Sequence, residues 1–215
     1  PQFAGDPPPL HDLIVERVRA DYAAYEVEIF DSADGPPPDS AHSTVFFGSY
    51  NPTLLGLADN VDTFNTRPVQ EAIVFVDTFT VFMSQEPTLI EMADALANVA
   101  SHEIGHLLGL HHVTDPLAIM DTSATLRQML RPQVFMRAPI SGDTFRVGYQ
   151  DAPVTLADNV GMRAGAADSL RAKWVDPVLA LPAEAFDPWY EEGPRDPARA
   201  GISLSSGCTC THGHP

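Results

Sequence analysis

From His11 to Tyr25 the apolar residues Leu13, Ile14, Val18 and Tyr22 recur at helical spacing, which predicts an amphipathic helix. The short apolar run Val27–Phe30 predicts a strand, and Asp31–Ser40, rich in Pro, Gly and Asp, predicts a loop. Thr44–Phe47 reads as a second strand, and Leu54–Val61 as an irregular or edge strand. Ala72–Asp77 is almost continuously apolar, as expected of a strand buried on both faces.

A long helix is expected over Leu89–Leu108. Thr88 stands where it can cap the first turn, and Glu91, three residues on, completes the pattern of a capping box. Gly109 suits the left-handed conformation that ends helices. Beyond Ser123 the periodicity weakens. Leu126–Leu130 reads as helical, Thr144–Tyr149 as a short strand, and Thr155–Trp174 as a helix interrupted by two glycines. From Asp176 onward Pro, Asp, Glu and Gly dominate, and the chain ends in Ser, Gly, Cys and His. The expectation is one folded domain over residues 1–175 and an arm over 176–215 without a core of its own. The pentapeptide LADNV occurs at Leu57–Val61 and at Leu156–Val160, in different predicted contexts, and is taken as coincidence.

Composition narrows the possibilities. With 215 residues, 44% of them hydrophobic, the chain can bury one sizeable core. The formal net charge is −17, from 29 Asp and Glu against 12 Lys and Arg. Such a surface repels phosphate backbones, so nucleic acid is set aside as a partner. No apolar run reaches the ~20 residues of a membrane span. The sequence starts at Pro1 and shows no basic-then-apolar signal segment, so a processed chain is expected. The two cysteines, Cys208 and Cys210, lie at the end and provide no disulfide framework for the core.

The chemistry concentrates in His102-Glu-Ile-Gly-His106-Leu-Leu-Gly109-Leu-His111-His112. Histidines four apart project from one face of a helix, so His102 and His106 can reach one ion. Glu103 falls beside that ion, where its carboxylate can take a proton from an activated water. Gly109 allows the chain to turn out of the helix and return a third imidazole, from His111 or His112. Three nitrogen ligands leave a position open, the arrangement of a catalytic zinc site.

This stretch resembles the metzincin signature HExxHxxGxxH. The resemblance implies that His112 is the third zinc ligand, with His102 and His106, and puts His111 at a variable position, where a solvated residue is expected over a group behind the ligands or on the substrate side. Ala118-Ile119-Met120-Asp121 follows closely and resembles the metzincin Met-turn, with Met120 as an apolar floor below the ligands. The short interval is similar to the matrixin branch and its bacterial relatives. The likeness runs over about Leu10–Ser123. It implies an α+β fold: a twisted, mainly parallel sheet packed on long helices, an active-site helix ending at the zinc turn, the Met-turn, and an extended C-terminal arm. It further implies a secreted zinc endopeptidase with Glu103 as general base, acting on a protein or peptide laid along an edge strand within Thr44–Val61. Some metzincins place a tyrosine just after the Met-turn. Here Asp121-Thr122 stand there, and the remote Tyr149 is not expected to substitute.

Two weaker signals remain. Asp31, Asp34 and Asp39 flank one loop, and Asp59 and Asp62 another. The resemblance implies that Ca2+ could rigidify such loops, although no EF-hand pattern is present. Cys208, Cys210, His212 and His214 place four soft ligands at the end of the chain and form a candidate second metal site. The competing function is a non-catalytic zinc-binding assembly or surface protein that self-associates through the arm after Asp176.

Overall fold

A computed structural model describes residues 7–142 and 147–166. Helix α1 spans Pro7–Asp21. It begins before His11 because prolines suit a first turn, whose N–H groups have no helical partner. Ile14 and Val18, with Tyr22 just beyond the helix, are buried as their spacing predicts. Val27–Phe30 forms no strand, contrary to expectation. Its carbonyls are taken by arginine side chains instead of a neighbouring strand. Arg163 donates to Val27 O at 2.8 Å, and Arg19 donates to Ile29 O at 3.1 Å.

Strands β1 (Thr44–Phe47), β2 (Gly56–Ala58) and β3 (Glu71–Val74) form a three-stranded sheet in the order β1-β3-β2. The apolar run supplies the central strand, with Ala72 and Val74 buried. β1 is parallel to β3, but β2 is antiparallel to it. The sheet is therefore mixed and small, not mainly parallel, because the 59–70 connection returns the chain beside the strand it has just left. The apolar run stops being a strand at Val74, and a 3-10 helix, Val76–Gln85, comes next. Its Phe79 and Phe82 rings stack at 5.3 Å in the core.

Helix α2 (Leu89–Leu107) is buried along most of its length. The expected capping box is present: Glu91 N–H donates to Thr88 Oγ1 at 3.2 Å, and Thr88 N–H donates to Glu91 Oε2 at 2.8 Å. At the other end Gly109, with φ +97°, closes a Schellman turn. Leu110 N–H donates to Gly105 O at 2.8 Å, and Gly109 N–H to His106 O at 3.0 Å. Helix α1 anchors α2 through buried polar links. Tyr22 OH donates to Ser101 O at 2.8 Å, Ser101 Oγ to Asp21 Oδ2 at 2.6 Å, and Arg17 pairs with Asp94 at 2.9 Å. Burial pushes the Tyr22 hydroxyl pKa well above the usual range, with the Asp21 charge adding to it.

Helix α3 (Leu126–Met129) carries its own capping box from Thr125 and Gln128. Strands β4 (Arg137–Pro139) and β5 (Tyr149–Asp151) pair antiparallel. Helix α4 (Ala152–Val160) is capped by Asp151 and ends at Gly161, φ +83°. It thus starts before Thr155 and ends at Val160, and residues 167–174 of the expected helix lie outside the described residues. The expected strand at 144–149 begins only at Tyr149, and residues 143–146 lie outside the described residues, as does 176–215. The two LADNV copies occupy unlike structures: the first runs out of β2, the second lies in α4. Among the described residues no helix is long and apolar enough to cross a membrane.

Candidate metal centre

Helix α2 supplies His102 and His106 one turn apart. The Schellman turn then reverses the chain so that residues 110–113 run back past the helix end. This strap brings in His112, and the three imidazoles are buried together, with ligand atoms all within 4.8 Å of one another. His106 Nε2 lies 3.0 Å from both His102 Nε2 and His112 Nε2. Three nitrogens around one tetrahedral zinc would be about 3.3 Å apart, from Zn–N bonds of about 2.0–2.1 Å. The observed spacing is close to that.

The tautomers decide what the cluster can bind. His102 Nδ1 lies 2.8 Å from Ile119 O, and His106 Nδ1 lies 2.8 Å from Leu110 O. A carbonyl only accepts, so both Nδ1 atoms carry the proton and donate. Both Nε2 atoms therefore present lone pairs, and these face each other. Extra protons do not resolve the conflict. Burial pushes the His102 pKa down to about 3, with the His112 ring adding to the effect. His106 is held well below the usual range by burial, and then by its two neighbours. Neutral, converging lone pairs whose far sides are fixed by carbonyls form a donor set that fits a cation, and imidazole nitrogen suits zinc.

Glu103 is 1% exposed and lies between α2 and β2. Gly56 makes the room for it: a Cβ there would come within 2.8 Å of Glu103 Cγ and Cδ. Gly105 does the same for Met120, because a Cβ there would lie 2.6 Å from the Met120 sulfur. Met120 is itself buried, and its carbonyl accepts from Val113 N–H at 2.9 Å, tying its turn to the histidine strap. Asp121 is next in the chain, and its carboxylate accepts from Ser123 N–H and Oγ at 2.8 and 2.7 Å, which staples the turn. Beside His102 and Glu103 opens a small cavity walled by Leu55, Val99 and Met129, with Asn98 and Gln133 among its polar lining.

The other expected residues divide. His111 is half-buried, not solvated, since the strap packs against β5. Tyr149 is on β5, 60% exposed, with the Arg137 guanidinium 4.4 Å from its ring centroid, away from the buried histidines. The acidic loops gather no cation site among the described residues. Asp31 pairs with His11 at 3.2 Å and Asp34 with Arg19 at 3.2 Å. Asp59 accepts from Glu71 N–H, and Asp62 accepts from Thr66 and Arg67. Their carboxylates are thus engaged by donors of the chain itself. Cys208, Cys210, His212 and His214 lie outside the described residues. Sequence reasoning missed Gly56 and Gln150. Neither belongs to a motif, and a glycine in a short strand is the one weak signal of close packing that was present.

Residues 39–133 match the model of the matrixin family, a stretch just under half of the 215-residue chain that holds all three histidines, Glu103 and Met120. No curated protein and no solved structure matches the chain. Over the stretch from just before β1 to just past α3, the chain is similar to the matrixins.

Proposed function

We propose that the chain is a zinc endopeptidase in which His102, His106 and His112 hold the metal and Glu103 is the general base. The observation that carries this is the set of three buried imidazoles whose ligand atoms converge, two of them with Nε2 lone pairs fixed by Nδ1–carbonyl bonds, and a buried carboxylate next to the first of them. When bound, zinc supplies Lewis acidity, polarising a carbonyl and lowering the pKa of water towards about 7. Glu103 accepts the proton of the attacking water and passes it to the departing amine nitrogen, so one carboxylate acts first as base and then as acid. Burial keeps bulk water from competing for that proton.

Strand β2 suits an extended substrate. It is the outer strand of the sheet on the α2 side, and Leu57 is the residue paired directly with Ile73. Phe75 N–H donates to Leu55 O and Asp59 N–H to Glu71 O, so the odd-numbered residues of β2 bond to β3. The backbone groups of Ala58 then point away from β3; Ala58 is itself 2% exposed, so a peptide that adds as a further strand must displace what covers that edge. The cavity beside Glu103 would take one substrate side chain, and its small size favours a short one. Placement outside the cell is inferred from the matrixin likeness.

The competing reading, zinc kept only for structure, is not favoured. A structural site has no use for a buried carboxylate beside its ligands, and burying one is costly. The test is hydrolysis of an unfolded protein by the purified chain beside Glu103→Ala at equal zinc content. Loss of about 10²–10⁴-fold in turnover with zinc retained is expected. Parental turnover in the variant would refute the assignment of the base.

A further inference from the structure

The family match ends at residue 133, yet the strap that carries His112 is bonded by Ser141 and Gln150, beyond that match. Gln150, on β5 and 7% exposed, grips the peptide next to that ligand from both sides. Its Oε1 accepts from His111 N–H at 2.7 Å, and its Nε2 donates to His111 O at 2.8 Å. The amide side chain thereby takes the place of a paired strand residue. One residue on, His112 O accepts from Ser141 N–H at 2.9 Å. The far end of the site is closed the same way from α4, where Asn159 Nδ2 donates to Leu108 O at 2.8 Å, at the end of the active-site helix.

We infer that Gln150 is a positioning residue for the metal centre, acting through the His111 peptide to aim the His112 imidazole. The two helix histidines need no such help, because α2 and their own carbonyl acceptors orient them. His112 stands on irregular backbone, held on one side by the Val113–Met120 and His112–Ser141 bonds and on the other by the Gln150 grip on the His111 peptide. A glutamine satisfies both backbone groups of one residue at once, with one donor and one acceptor held in a plane. Glutamate has the same shape but lacks the donor, which makes it a graded probe. This inference rests on the metal-centre reading, not on the role of Glu103.

The experiment loads the full chain, Gln150→Ala and Gln150→Glu with Co2+. It records the visible d–d absorption and the affinity by competition with a chelator. The unfolding midpoint of each metal-free chain is measured in parallel. Arg163→Ala serves as control, since it loses two side-chain bonds to the Tyr25 and Val27 carbonyls, at 2.8 Å each, outside the site. Removing a residue that orients a ligand from behind costs about 10–100-fold in metal affinity. That loss is expected for Gln150→Ala, with an altered cobalt spectrum, a smaller loss for Gln150→Glu, and none for Arg163→Ala. Parental affinity and spectrum in both Gln150 variants would overturn the inference. So would an affinity loss that merely tracks the metal-free midpoint across all three variants. Failure of the parent to bind Co2+ would overturn the metal reading itself, whereas Co2+ binding without hydrolysis would leave this inference standing and sink only the peptidase.

Discussion

Gly56→Ala tests the link between the sheet and the proposed base. The added carbon would stand 2.8 Å from both Cγ and Cδ of Glu103, with a carboxylate oxygen nearer still. Carbon pairs settle at about 3.5–4.0 Å, so Glu103 must retreat by about 0.7–1.2 Å. Gly56 and Glu103 are both buried, so neither side gives way freely. Displacing a reacting group by about 1 Å costs on the order of 10²-fold in rate. Stability should change far less. Overpacking costs about 1–3 kcal/mol, offset in part by the roughly 0.5–1 kcal/mol that alanine gains over glycine inside a strand. The three nearest atoms to the new carbon all belong to Glu103, so the expected damage falls on the carboxylate and zinc should stay. The assay is kcat/KM on an unfolded protein substrate at matched zinc content, with the urea midpoint alongside. Parental kcat/KM would refute the reasoning. So would an activity loss matched by an equal loss of zinc, since the damage would then lie in the ligands.

Three further outcomes are expected. Gly109→Ala should unfold or severely destabilise the chain, by several kcal/mol in a chemical melt. The position has φ +97°, and a Cβ there would lie 2.6 Å from Asn159 Nδ2 and 2.7 Å from Asp62 O; a midpoint near that of the parent would contradict the turn as described. The metal-free chain should lose stability as pH falls below about 6.5, because an unfolded histidine takes up a proton there while folded His102, at about 3, and His106 do not. Each contributes a slope of about 1.4 kcal/mol per pH unit in that window, with stability flat above it, and urea melts of the chelated chain that are unchanged from about pH 7 to about pH 5 would exclude the buried neutral pair. Thr88→Ala removes the side-chain half of the capping box and should cost about 0.5–2 kcal/mol while leaving zinc affinity intact, read from a denaturant melt and a chelator titration.

What was legible in the sequence was local. The capping box, the Gly109 turn and the pair His102 and His106 depend on spacings of three or four residues, which a helix converts directly into contact. β3 was legible because Ala72, Ile73 and Val74 are all apolar, although only Ala72 and Val74 are buried and the strand ends before the run does. Val27–Phe30 was misread because its composition suits a strand while its partners are two arginines, one of them at position 163. The direction of β2 was hidden for a similar reason: nothing in three residues says which neighbour they will pair with, or which way round. The meeting of the three histidines could be read, but their supports could not. Gln150 meets His111 across 39 positions, and Asn159 meets Leu108 across 51, and a lone polar residue in a short element does not announce such a partner.

The same separation sets an order of events when the chain is made. Synthesis runs from the N-terminus, so helix α2, Glu103 and all three histidines emerge well before Gln150 and Asn159. The helix and its closing turn can form from nearby contacts alone, and the Met120 turn and Ser141 can bond the strap soon afterwards, but the grip on the His111 peptide waits for β5. A nascent or truncated chain ending between residues 141 and 150 would therefore hold every histidine and still lack the Gln150 bonds beside the last one. If Gln150 positions the centre as inferred, its completion waits on a part of the chain beyond the family match, and loading with metal becomes a late event in the life of the polypeptide.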